Sequence, residues 1–157
     1  MSLQLSGENT RQSLAEHVAA KGEEVHLRYP RLGWSELLHL LDNRDFVRYP
    51  CDLIFEAGGL QPGEFAHAEP KGDRPEDGFR MLVHPRFEND LEQVPLLVLY
   101  HLVTVNYGDF ASGDDAEAYG AAALGMNRED YYAAVCVLAD KLEPVGGRGT
   151  TGQDKKC

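Results

Sequence analysis

The sequence predicts an α+β domain in which a small antiparallel three-stranded sheet is flanked by N-terminal and C-terminal helices, in the order ααβββααα. Two observations support this prediction. Apolar residues recur at helical spacing before residue 42 and after residue 90, whereas between residues 47 and 84 they alternate with polar ones, as in half-buried strands. Short connections rich in glycine and proline separate the alternating stretches, which favours an antiparallel meander.

Two helices are predicted before the sheet. The first covers residues 11 to about 27, with Gly22 inside it, and Tyr29-Pro30 ends it because the residue before a proline disfavours the α region. A second, short helix follows, and its apolar face is predicted to consist of Trp34, Leu37, Leu38 and Leu41.

Three strands are predicted between residues 47 and 84. The first alternates apolar and polar residues over 47–55, and Pro50 suggests an edge position or an irregular entry. Turn dipeptides separate it from a short second strand over 64–68. The stretch 69–78 is rich in charge, proline and glycine and is predicted to be an exposed loop before a third strand over 79–84.

The residues after the sheet are predicted to be helical. Asp90 and Gln93 have the spacing of a capping box, and residues 96–105 are apolar almost all round, as in a helix buried on most sides. The valines of this stretch also suit a strand, and periodicity alone leaves both readings open. Its length and the apparent cap favour the helix.

Two further helices complete the predicted fold. Ser112 with Asp115 repeats the capping-box spacing before an alanine-rich helix over 113–124. Asn127 with Asp130 begins the last helix, whose apolar stripe is predicted to be Tyr131, Val135, Leu138 and Leu142.

The composition is that of one small domain. The chain has 157 residues, of which 43% are hydrophobic, enough for a single buried core. We expect a frayed N-terminus over residues 1–10, a single α+β domain over 11–145 and a disordered tail over 146–157.

The charge balance restricts the class of partner. The 26 acidic and 15 basic residues give a net charge of -11, whose field repels phosphate backbones and anionic lipids. We therefore expect no nucleic-acid partner and no membrane partner, whereas a cation or a basic protein surface is easier to accommodate. An odd number of cysteines without a CxxC motif, and no signal peptide in the first twenty residues, predict a reducing cytoplasm.

The sequence contains none of the strong catalytic or nucleotide-binding motifs: no P-loop, no GxGxxG after a strand, no GxSxG elbow, no HExxH and no EF-hand loop. With an acidic surface and an ordinary core, this pattern favours a non-catalytic binding or regulatory module that acts on a protein partner. No cofactor is identified by a motif.

The alternative hypothesis is a metal-binding, hydrolase-like domain centred on His101, an imidazole in the middle of a mostly apolar helix. Burial would keep it neutral, the state that ligates a metal, although a histidine buried in the core is the more frequent occurrence. His84, Asp109 and Glu117 are the candidate partners, because histidine and carboxylate together suit zinc or another divalent ion.

One stretch resembles a known family. Residues 97–108 (LVLYHLVTVNYG), followed by an alanine-rich helix that contains Glu117, look like the active-site helix and the downstream acidic helix of zincin-type metallopeptidases. His101 matches the first zinc ligand of that family, and Glu117 matches the third. Leu102 and Val105 stand where the family's HExxH motif has its general-base Glu and its second His. The resemblance therefore implies a relic scaffold without peptidase activity.

Overall fold

The structure is a computed structural model, in which residues 7–142 of the chain are described. The predicted tail over 146–157 and the first six residues lie outside the described residues. The elements follow the predicted order ααβββααα, which confirms the α+β class. They are α1 (Gly7–Arg28), α2 (Trp34–Leu41), β1 (Cys51–Phe55), β2 (Ala66–Pro70), β3 (Phe79–Val83), α3 (Val94–Tyr107), α4 (Gly113–Leu124) and α5 (Arg128–Asp140).

The sheet is mixed, so the prediction of a purely antiparallel sheet is wrong. Strand β3 lies in the middle, parallel to β1 and antiparallel to β2. The connection over 56–65 is long enough to carry the chain past β3, which places β1 and β2 at opposite edges. All residues of β3 except Arg80 are buried, as expected for a central strand covered on both faces.

Several predicted boundaries differ in the structure. The second strand, predicted over 64–68, covers Ala66–Pro70, so residues 69 and 70 belong to β2 and not to the predicted loop. Helix α1 begins at Gly7, so residues 7–10, predicted to be frayed, are helical. Strand β1 begins only at Cys51, because the chain before it is bent and joins the sheet through the carbonyl of Pro50, which accepts a hydrogen bond from the N–H of Phe79 at 2.8 Å.

Residues 96–105 form a helix and not a strand, since they lie within α3. The capping box predicted at Asp90 and Gln93 is absent: Asp90 precedes a short 3₁₀ helix over Leu91–Gln93 and makes no side-chain cap there. Helix α3 begins after it, at Val94, with Pro95 in the first turn, where a missing N–H costs nothing.

The caps of the last two helices form as predicted. Ser112 Oγ accepts a hydrogen bond from the N–H of Asp115 at 3.2 Å, and the Asp115 carboxylate accepts one from the N–H of Ser112 at 2.9 Å. At the start of α5, Asn127 Oδ1 accepts a hydrogen bond from the N–H of Asp130 at 2.8 Å. These bonds satisfy N–H groups that have no partner within the helix.

Helix α3 is the centre of the fold. It packs against β2 and β3 on one side and against α4 and α5 on the other, and α1 packs on α4. This explains why α3 is apolar almost all round, as a helix must be when neighbours cover most of its faces. Among the described helices, none combines the length and the apolarity that a membrane span requires.

Candidate functional site

The side chain of His101 borders a small cavity between α3, α5 and the turn that precedes β2. The cavity has a volume of about 240 Å³ and its lining is mostly apolar. We call it the His101 pocket; it is lined by Gly63, Glu64, Phe65, Tyr100, His101, Tyr132, Val135 and Ala139.

Aromatic rings hold the imidazole of His101 in place. The ring of Phe65 lies edge-on to it with the centroids 5.2 Å apart, and the ring of Tyr100 does the same at 5.4 Å. Phe65 and Tyr100 also contact each other, with centroids 6.0 Å apart. Edge-to-face pairs at these separations are favourable, so one wall of the His101 pocket is a cluster of three rings.

The imidazole of His101 is half-buried and electrically neutral at pH 7. Burial lowers its pKa from 6.5 to about 4, because the charged form loses hydration, and the nearby imidazole of His67 contributes in the same direction. A neutral imidazole has one N–H donor and one nitrogen acceptor. Among the described residues, none forms a hydrogen bond with either ring nitrogen of His101.

One acidic residue, Glu64, lines the His101 pocket. Glu64 Oε1 accepts a hydrogen bond from the N–H of Gln61 at 2.9 Å, and its Oε2 lies 3.8 Å from Nδ1 of the exposed His67. The pocket therefore combines an apolar wall, a neutral hydrogen-bonding group and one acidic residue in its lining. This combination suits binding of an apolar group that has a polar tip.

His84 and Glu117, two other residues of the predicted metal set, have partners away from His101. His84 ends β3, and its Nδ1 accepts a hydrogen bond from the N–H of Arg86 at 3.0 Å. Glu117 on α4 accepts one from the guanidinium of Arg128 at 2.8 Å. The backbone of Asp109 belongs to a 3₁₀ helix over Gly108–Phe110 that follows α3.

Neither His84 nor Glu117 lines the His101 pocket. Within residues 7–142, no group of three or more histidine, cysteine, aspartate or glutamate side chains is placed to hold a metal ion. Among the described side chains, His84 and Glu117 do not join His101 at one site. The zinc hypothesis stays a prediction.

Most of the pocket was missed by the sequence prediction, which singled out only His101. A signal existed on α5, where Tyr132 and Ala139 recur at helical spacing with Val135 of the predicted stripe. No sequence signal indicated Glu64 or Phe65, because their contact with α3 depends on the path of a turn.

Comparison of the chain with protein-family models, with curated proteins and with solved structures finds no match. The functional conclusion therefore depends on the geometry and chemistry of the chain itself.

Proposed function

We propose that the chain is a non-catalytic binding module that receives one aromatic side chain of a protein partner in the His101 pocket. The observation that supports this most is an open, mostly apolar cavity with a neutral imidazole in its wall, to which no described residue forms a hydrogen bond. Its volume of about 240 Å³ lies below the roughly 300–1,000 Å³ of typical small-molecule sites. A single inserted side chain is the better match, and such anchors dominate the binding energy of many protein interfaces.

The chemistry of the wall favours an anchor with a polar tip. The rings of Phe65 and Tyr100 offer edge-to-face contacts to an incoming ring, and His101 offers one donor and one acceptor. Tyrosine and tryptophan combine an aromatic body with a hydroxyl or an N–H, so either could bond to the imidazole. Leucine or phenylalanine would fill the space but leave the imidazole without a partner.

The charge of the chain favours a basic partner. The net charge is -11, and Glu64 is one of the residues that line the His101 pocket. Lysine or arginine residues beside the anchor would therefore be attracted during the encounter. The cytoplasmic location expected from the sequence stays a prediction.

A peptide selection tests the proposal directly. A peptide library is selected for binding to the wild-type chain and counter-selected against Ala139→Phe, in which the new ring fills the His101 pocket. Ala133→Phe is the matched control, because Ala133 lies on the exposed face of the same helix. Circular dichroism first establishes that both variants are folded.

We expect the selected peptides to share a tyrosine or tryptophan flanked by lysine or arginine. Their affinity should fall by about tenfold or more in Ala139→Phe and stay unchanged in Ala133→Phe, because a blocked pocket removes an anchor contact. In nuclear magnetic resonance spectra, binding should shift the signals of His101 and Tyr132. Peptides that bind Ala139→Phe as tightly as the wild-type chain would refute the proposal.

A further inference from the structure

A second concave surface lies at the junction of α1 and α2 and is independent of the His101 pocket. Its volume is about 540 Å³, more than twice that of the His101 pocket, and falls within the usual size of small-molecule sites. We call it the arginine basin; it surrounds the turn Tyr29-Pro30 and is lined further by Arg28, Arg31, Ser35, Glu36 and His39.

The turn that carries the two arginines is held firmly. Tyr29 is buried, and its hydroxyl is hydrogen-bonded to Nδ1 of His39 at 2.6 Å and accepts a hydrogen bond from Nδ2 of Asn43 at 3.1 Å. The N–H of Tyr29 also donates to the carbonyl of Val25 at 2.7 Å, and Pro30 restricts the backbone that follows. A rigid turn places Arg28 and Arg31 on the same basin before any ligand arrives, which lowers the entropic cost of binding.

Both arginines are exposed. The guanidinium of Arg28 lies 4.8 Å from the centre of the Tyr29 ring, a cation–π contact that helps to position it. In the part of the chain that the structure describes, neither Arg28 nor Arg31 forms an ion pair with a carboxylate. This is notable in a chain with 26 acidic residues.

The start of α2 adds one feature that suits an anion, the hydroxyl of Ser35. The first N–H groups of the helix already face negative charge, because the carboxylates of Glu36 and Glu92 both lie close to Gly33. Glu36 is the one carboxylate in the lining, and its Oε1 accepts a hydrogen bond from the N–H of Gly33 at 3.2 Å. Its charge is thus engaged in capping α2.

We propose that the arginine basin binds a small organic oxyanion, a carboxylate or a phosphate. Two guanidinium groups present donor pairs that match the oxygens of either group, and the size of the basin admits a metabolite-sized molecule. The net charge of -11 opposes long polyanions, whereas a small anion meets mainly the local positive charge.

Calorimetric titration at constant ionic strength tests the site with two probes, inorganic phosphate and succinate. The side-chain N–H signals of Arg28 and Arg31 are followed by nuclear magnetic resonance in the same titrations. The test variants are Arg28→Gln and Arg31→Gln, and the control is Arg74→Gln, which removes the same charge from an exposed loop outside the basin.

We expect at least one probe to bind saturably and to shift both arginine signals. Each test variant should weaken that probe by about tenfold, the effect of losing one charge-assisted contact, whereas Arg74→Gln should bind it as the wild-type chain does. If only phosphate binds, the basin recognises a phosphate group; if only succinate binds, it recognises a carboxylate. No saturable binding of either probe, or equal binding by wild type and both test variants, would overturn the proposal.

Discussion

Asn106 and Arg48 are joined by two hydrogen bonds, although 58 positions separate them in the chain. Asn106 Oδ1 accepts from the backbone N–H of Arg48 at 2.9 Å, and the guanidinium of Arg48 donates to the carbonyl of Asn106 at 2.9 Å. The amide of Asn106 also donates to the carbonyl of Phe46 at 2.8 Å. A buried asparagine in α3 thus fixes the bent segment that leads into β1.

Replacing Asn106 by leucine should destabilise the chain by about 2 kcal/mol, because the N–H of Arg48 and the carbonyl of Phe46 lose their partners. Urea unfolding monitored by circular dichroism measures the loss. Thr104→Val on the exposed face of the same helix is the control and should stay within about 0.5 kcal/mol of wild type. Equal stability of Asn106→Leu and wild type would show that these bonds contribute nothing.

Gly22 allows α1 and α4 to approach closely. A Cβ atom at position 22 would lie 2.7 Å from the carbonyl oxygen of Tyr119 and 2.8 Å from the Cβ of Ala122. Alanine in place of glycine normally stabilises a helix by about 1 kcal/mol. Here the neighbouring atoms are a backbone oxygen of α4 and a Cβ atom attached directly to that backbone, so neither can move aside alone. We therefore expect the packing loss to exceed that gain.

Gly22→Ala should therefore destabilise the chain, by about 1–3 kcal/mol, as overpacking usually does. Thermal and urea unfolding measure it, with Glu23→Ala at the exposed neighbouring position as the control. An increase in stability for Gly22→Ala would mean that α1 and α4 can separate without cost.

The sequence predicted the helices and strands better than their arrangement. Local signals, such as the capping spacing of Ser112 and Asp115, fix where a helix begins and depend on few neighbours. The order of the strands depends on non-local pairing, and the short connections did not reveal that β3 would lie between β1 and β2. The apolar run of β3 was the available sign of a central strand.

The buried faces of the helices and the lining of the candidate site also depend on non-local packing, which the sequence reveals less well than local structure. Leu38 was predicted on the buried face of α2, but its side chain is 41% exposed. Leu40 is buried instead, because α2 packs with a slightly different rotation. His101 could be singled out from its apolar surroundings. The partners that form its pocket could not, since Phe65 reaches it only through the fold of a turn.

The titration of His101 should make stability depend on pH. Its pKa is about 4 in the folded chain, against 6.5 as the ordinary value, so between these values the unfolded chain binds more protons. The neutral imidazole therefore stabilises the fold fully above pH 6.5, and this contribution is lost as the pH falls toward 4. For a half-buried group we expect a loss on the order of 2 kcal/mol.

Urea unfolding of wild type and His101→Gln at pH 7 and at pH 4.5 isolates this effect from other titrating groups. The wild-type chain should lose more stability than the variant over that interval. His17→Gln removes an exposed histidine and is the control, which should follow the wild type. If the free energy of unfolding fell by the same amount in wild type and in His101→Gln, the assigned pKa would be contradicted.

Cys51 should be unreactive in the folded chain. Burial, and secondly the charge of Asp52, raise the pKa of its thiol to about 12, so almost no thiolate exists at pH 8. Alkylation of Cys51 by iodoacetamide, followed by peptide mass spectrometry, should be slower by about a hundredfold or more in buffer than in urea. Asp52→Asn should leave this protection in place, because burial is the larger cause. Rapid alkylation of native Cys51 would show that the start of β1 opens readily.

Metal analysis separates the binding-module proposal from the zinc hypothesis. The chain is purified without chelator beside His101→Ala and His84→Ala, and the metal content is measured by elemental analysis. Because His84 Nδ1 and Glu117 already have partners in the fold, we expect no stoichiometric metal and no difference among the three proteins. About one zinc per chain that is lost in His101→Ala would instead establish a metal site at this helix. If the zinc were also lost in His84→Ala, the end of β3 would have to move to bring His84 to the metal. That result would direct the search toward a hydrolase-like function.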